Sequence, residues 1–124
     1  MKLLRMNEIE GVRFPAGRTT KVLTGEDRLP TKNFTLGYVV IEPEGRIPLH
    51  THANEECYLI LKGTGRLKMG DREEEVRAFN ALYIEPHTEH LLQNTGKEEI
   101  HLVFIYAPAG IMDHWSEELS GRLK

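Results

Sequence analysis

Gly45-Arg-Ile-Pro-Leu-His50-Thr-His52-Ala-Asn-Glu-Glu56-Cys-Tyr-Leu-Ile-Leu-Lys-Gly63 is answered downstream by Pro86-His-Thr-Glu-His90-Leu-Leu-Gln-Asn94. Side chains alternate along an extended strand, so His50 and His52 point the same way. Glu56 joins them if the chain bends through Ala53-Asn54-Glu55, and Asn54 suits such a bend. His90, far along the chain, completes a possible four-ligand set. Three imidazoles and one carboxylate suit a divalent first-row metal. On the strand that follows, Glu56, Tyr58 and Ile60 share one face and Cys57, Leu59 and Leu61 the other.

Outward from these segments, most of the chain reads as short strands broken by turn residues. Thr19 to Thr24 and Thr35 to Ile41 are β-branched and apolar, punctuated by Gly25, Pro30 and Pro43-Glu-Gly45. Thr64 to Met69 and Glu73 to Arg77 flank Gly70-Asp71 as a hairpin. Ala81 to Ile84, Glu89 to Asn94 and Ile100 to Tyr106 follow, with no long helical pattern between them. This spacing predicts an all-β sandwich or barrel. Only the tail departs: Asp113 is placed to cap a short helix through Leu119, with Gly121 to stop it. One domain over residues 1–124 is expected, with an N-terminal strand segment 1–14, a barrel over about 15–107 and a helical tail 108–124.

Bulk properties narrow the partners. With 124 residues, a formal charge of -3 and 28% charged residues, the chain is an ordinary soluble domain with no basic face for nucleic acid or an anionic membrane. No apolar run approaches the roughly 18 residues of a membrane span. Cys57 is the single cysteine, so no intrachain disulfide is expected. The charged N-terminus lacks the apolar stretch of a signal peptide, and a cytoplasmic location is the expectation.

The first segment resembles cupin motif 1, G-x(4 or 5)-H-x-H-x(3 or 4)-E-x6-G, through Gly45, His50, His52, Glu56 and Gly63. The second resembles motif 2, P-x-G-x2-H-x3-N, through Pro86, His90 and Asn94, with one residue fewer before the histidine. The resemblance implies a small single-domain cupin: a double-stranded β-helix, or jelly roll, closed into a barrel, with a short C-terminal helix. It implies His50, His52, Glu56 and His90 as ligands of one divalent transition metal (Mn, Fe, Zn, Ni or Cu), and Asn94 as structural. Two positions depart from the pattern. Phe79-Asn80 stands where the usual pair is glycine-aspartate, and His87 occupies a turn position commonly held by glycine.

A metal held in this way keeps net positive charge and accepts a substrate's oxygens, polarising a carbonyl or stabilising an enolate. The reading therefore favours a metal-dependent enzyme on a sugar, uronate or keto acid, with isomerase or lyase chemistry ahead of a non-haem dioxygenase. A non-catalytic, metal-containing binding or sensing module is the alternative of another class. Tyr58, on Glu56's face, is the candidate proton donor, and no general base is named. Arg18 and Arg46 would suit a substrate carboxylate, but surface exposure is the expectation for both. Cys57 reads as a small core residue, His101 as packed or hydrogen-bonded, and His87 and His114 as surface residues. Cupins often pair, and Leu3, Leu4, Met6, Ile9 and Val12 need cover, so a homodimer is expected.

Overall fold

The computed structural model describes residues 1–110 and 114–123; the expected cap Asp113 and the side chain of His114 lie outside the described residues. A single 3-10 turn, Met6–Glu8, precedes ten strands among the described residues. They are β1 (Val12–Phe14), β2 (Arg18–Val22), β3 (Thr35–Ile41), β4 (Arg46–His50), β5 (Glu55–Lys62), β6 (Thr64–Met69), β7 (Arg72–Arg77), β8 (Ala81–Ile84), β9 (His90–Asn94) and β10 (Ile100–Ala107). A helix, α1 (His114–Leu119), follows, and Gly121 beyond it takes φ 83°, the left-handed conformation that stops a helix. No described helix is long and apolar enough to cross a membrane.

The strands form two antiparallel sheets, β1-β2-β3-β10-β5-β8 and β4-β9-β6-β7. Alternation along them sorts side chains as the sequence pattern requires. Strand β3 buries Thr35, Gly37, Val39 and Ile41, and β5 buries Glu56, Tyr58 and Ile60 while Cys57, Leu59 and Leu61 face outward. One core draws on both inner faces: Val39, Ile41, Ile60, Ile84, Ile100 and Leu102 meet Ile47, Leu67, Val76 and Leu92. Burying each such side chain contributes about 1.5–3 kcal/mol. The β6–β7 hairpin pairs Met69 with Arg72 across Gly70-Asp71, and Gly70 has φ 58°, as a tight two-residue turn demands.

The expected closed barrel is not what forms. The sheets remain a stacked pair with separate edges, β1 and β8 on one and β4 and β7 on the other. Features of the edges explain why no ladder joins them. Strand β4 carries Pro48, which lacks an N–H, and its register breaks between Ile47 and His50. Strand β7 presents exposed Glu73, Glu74 and Glu75, charges that discourage further pairing. The expected core cysteine is also corrected: Cys57 is exposed, because the alternation that buries Glu56 and Tyr58 turns it outward.

Both glycines of the first motif have steric reasons. A Cβ on Gly45 would lie 2.4 Å from the Gly17 carbonyl oxygen. At Gly63, φ is 93° and a Cβ would meet the Glu99 carbonyl oxygen at 2.7 Å. The two departures from the second motif keep glycine-like backbone without glycine: Phe79 has φ 70° and His87 φ 63°.

Candidate metal centre

Pairing of β4 with β9 sets His50 directly opposite His90, and the register break beside Ile47 brings His50 to the inner face. The bend after His52 returns the chain into β5 with Glu56 pointing inward. A backbone hydrogen bond from His87 N–H to the His52 carbonyl (2.8 Å) ties the two segments together. The rings of His50 and His90 are centred 4.1 Å apart, His52 and His90 4.9 Å, and His50 and His52 5.5 Å. The donor atoms of these three histidines lie within 4.8 Å of one another.

Hydrogen bonds fix which nitrogen of each ring faces inward. Nδ1 of His50 lies 2.6 Å from the Pro48 carbonyl, that of His52 3.0 Å from the Asn54 carbonyl and that of His90 2.8 Å from the Thr88 carbonyl. A carbonyl only accepts, so Nδ1 of each ring is the donor in these contacts, and Nε2 of His52 and His90 face Glu56. This is the outer hydrogen bonding that orients histidine ligands of metals. All three local contacts span two residues, so each ring is held by its own turn.

Glu56 lies against this cluster of three histidines. Its Oε1 is 3.0 Å from His52 Nε2 and 3.4 Å from His90 Nε2, and its side chain is only 3% exposed. Burial pushes the Glu56 carboxyl up, but the imidazoles of His52 and His90 outweigh it and hold the group below its usual range. His90 Nε2 is fully buried and has no hydrogen-bond partner among the described residues. A buried ring nitrogen left so is costly. A cation among three Nε2 atoms and a carboxylate would satisfy it, and the donor set is one that divalent transition metals accept.

Other residues singled out from the sequence fall into place around this centre. Tyr58 lies in the core, 3% exposed, with its ring 6.5 Å from that of His90. Burial and the nearby Glu56 raise its phenol well above the usual value, so it stays protonated. His87 is exposed and outside the cluster. His101 is held on the six-stranded sheet: the Tyr38 hydroxyl donates to its Nδ1 (2.7 Å) and its Nε2 donates to Glu99 (3.1 Å). Asn94, 3% exposed, donates through Nδ2 to the carbonyls of Ile41, Glu42 and Glu98 and accepts from Gly96 N–H, tying β9 to the β3–β4 turn.

Arg18 departs from expectation. It is 3% exposed and paired with Glu118 of α1, whereas Arg46 is half-buried in a separate groove with Pro15 and Gly121. A cavity of about 20 Å³ beside the histidines is bounded by Arg18, His50, Glu56, Tyr58, Phe104 and Trp115. Sequence reasoning missed Trp115 as part of this wall and Glu118 as the partner of Arg18 behind it. For Arg18 a signal existed: it shares parity with Thr20, whose side chain is buried on the same strand.

Comparison with known proteins agrees with this architecture. An uncharacterised protein of Methanocaldococcus jannaschii is 29% identical over 70 residues, 56% of each chain, so the match spans about half that relative's length. Among solved structures, a predicted oxalate decarboxylase from Thermotoga maritima superposes with a TM-score of 0.77 at 18% identity, covering 86% of this chain and 99% of that one. An oxalate decarboxylase of Lactobacillus farciminis in complex with formate gives 0.76 at 22% identity, covering 84% of this chain and 32% of that one. At these identities the likeness is one of fold. The cupin domain profile matches residues 37–106, which include both histidine segments, and the chain belongs to the cupin family.

Proposed function

We propose that this cupin is a metal-dependent enzyme acting on a small oxygenated molecule, a sugar, uronate or keto acid, by isomerase or lyase chemistry. His50, His52, Glu56 and His90 would hold one divalent ion. The observation that carries the reading is the set of three imidazoles, each locked through Nδ1 to a backbone carbonyl, around a buried His90 Nε2 that has no hydrogen-bond partner among the described residues. When bound, the metal supplies Lewis-acid polarisation of a substrate oxygen. Of the chain's own residues, Phe104 and Trp115 give the cavity wall apolar surface beside His50 and Glu56, and the neutral Tyr58 phenol is the available proton donor on that wall.

A second reading, a metal-containing binding module without turnover, is favoured by one observation. The cavity of about 20 Å³ holds a water but no organic substrate in this arrangement. A homodimer is part of the proposal, supported by exposed Leu3 and Val12 at the N-terminal edge and exposed Leu59, Leu61, Tyr83 and Ile105 on the outer sheet face.

Elemental analysis of anaerobically purified protein, beside the double variant His50→Ala/His52→Ala, tests the centre. One equivalent of metal, lost in a variant that keeps its fold, is the expected result. Iron would direct assays toward dioxygenase chemistry, and manganese, zinc or nickel toward isomerase and lyase substrates. No metal in the wild type, and none taken up on reconstitution, would overturn the enzyme reading.

A further inference from the structure

Arg18 and Glu118, a hundred residues apart, meet beside the candidate metal centre. Arg18 Nε donates to Oε2 of Glu118 at 2.9 Å and Nη2 to Oε1 at 2.6 Å, the two-point contact that a guanidinium makes with a carboxylate. Both residues are buried, at 3% and 0% exposure. The guanidinium also stacks 3.8 Å from the Phe14 ring centre and bonds the Thr20 hydroxyl, so the cation is fixed by groups that belong to the sheet. A buried ion pair generally adds little stability over an apolar pair of the same size, so its place behind the cavity, with Arg18 in the wall, asks for another reason.

Geometry supplies one. Arg18 shares the cavity with His50, Glu56 and Tyr58, and Trp115 of α1 is part of its wall. Helix α1 has six residues, too few to stand as a helix in water, and it docks through Trp115 against Phe14 (ring centres 5.5 Å apart) and through Glu118. The space left, about 20 Å³, is that of a water. An organic molecule does not fit this space beside His50 while α1 stays docked, and moving α1 aside strips Arg18 of its carboxylate. A ligand that brings its own carboxylate replaces Glu118 like for like and never leaves the buried guanidinium unpaired.

We propose that Arg18 anchors the carboxylate of a small organic acid, that Glu118 occupies this subsite in the ligand's absence, and that the two exchange as α1 undocks. This rests on the reading of the centre as a small-molecule site and deepens it: the favoured ligands are keto or hydroxy acids, with the carboxylate on Arg18 and a second oxygen toward the histidines.

Trp115 is the chain's one tryptophan, so its fluorescence reports α1 directly. Acetate, pyruvate and malonate, with neutral pyruvamide as control, are titrated into metal-loaded and metal-free wild type, Glu118→Gln and Arg18→Met, with far-UV circular dichroism checking each fold. Saturable change in Trp115 emission with a carboxylate and none with pyruvamide is expected. Affinity should rise about tenfold or more in Glu118→Gln, which weakens the internal competitor and keeps Arg18, and should vanish in Arg18→Met. If none of the three acids moves Trp115, or if Glu118→Gln binds no tighter than wild type, the inference fails. The metal-free arm separates the two readings: a carboxylate response without any metal uptake sinks the metal centre alone, and metal uptake without a response sinks this subsite alone.

Discussion

Asn94 offers a sharp quantitative test of how the site is held. Its side chain supplies two N–H donors to the carbonyls of Ile41 (3.0 Å), Glu42 (3.1 Å) and Glu98 (2.9 Å), and its Oδ1 accepts Gly96 N–H at 2.9 Å. Two protons and one acceptor oxygen amount to three good hydrogen bonds, each contributing about 1 kcal/mol net. Asn94→Ala should therefore lose about 3–4 kcal/mol, because the abandoned carbonyls lie under a residue only 3% exposed. For a domain of this size that lowers Tm by roughly 10–15 °C.

Asn94→Asp is the more telling change. It keeps the acceptor for Gly96 but turns the donor into a negative oxygen facing three carbonyls. At neutral pH it should fall at least about 1 kcal/mol below the alanine variant, and the gap should narrow in acid as the carboxyl regains a proton to donate. Urea denaturation followed by circular dichroism at neutral and acid pH reads both. If Asn94→Asp is as stable as Asn94→Ala at neutral pH, Nδ2 is not a structural donor and the account of this turn is wrong.

Two further outcomes are expected. Phe79→Gly should raise stability by about 0.5–1 kcal/mol in thermal melts, because Phe79 holds φ 70° and is 84% exposed, so relief of left-handed strain outweighs lost contacts; Phe79→Ala, which keeps a Cβ, should show no gain. A divalent metal supplied at about a hundred times its Kd should stabilise the wild type by about 2.7 kcal/mol, a shift near 10 °C that a chelator reverses. The His50→Ala/His52→Ala variant should show no such shift, and an equal shift in both proteins would place the metal elsewhere.

Much of the candidate site was legible in the chain because its parts are local. Glu56 and Tyr58 share a face through alternation along β5, whereas His52 lies two residues past the end of β4 and reaches the cluster from the turn rather than through strand parity with His50. Strand limits at Thr35–Ile41, Thr64–Met69 and Ala81–Ile84 follow from alternation and turn residues, which act within a few positions. Resemblance to cupin motifs joined His90 to the first segment, and the β4–β9 register realises that pairing.

What escaped the sequence depends on contacts between distant segments. Closure of the sheets turns on whether edge strands find partners, and Pro48 and the acidic β7 edge decide against it only once the two sheets stand opposite each other. Cys57 shares a face with Leu59 and Leu61 by parity, but only the packing of the two sheets makes that face the outer one. Arg18 reads as a surface charge because composition cannot say that Glu118 will arrive from the tail to neutralise it. The sequence by itself determined the alternation and the turns, since these rest on the geometry of neighbouring residues, and its likeness to the cupin motifs named the four candidate ligands. Tertiary structure alone decided the open pair of sheets and the buried Arg18–Glu118 contact, since burying a charge is tolerable only after folding has brought its partner to it.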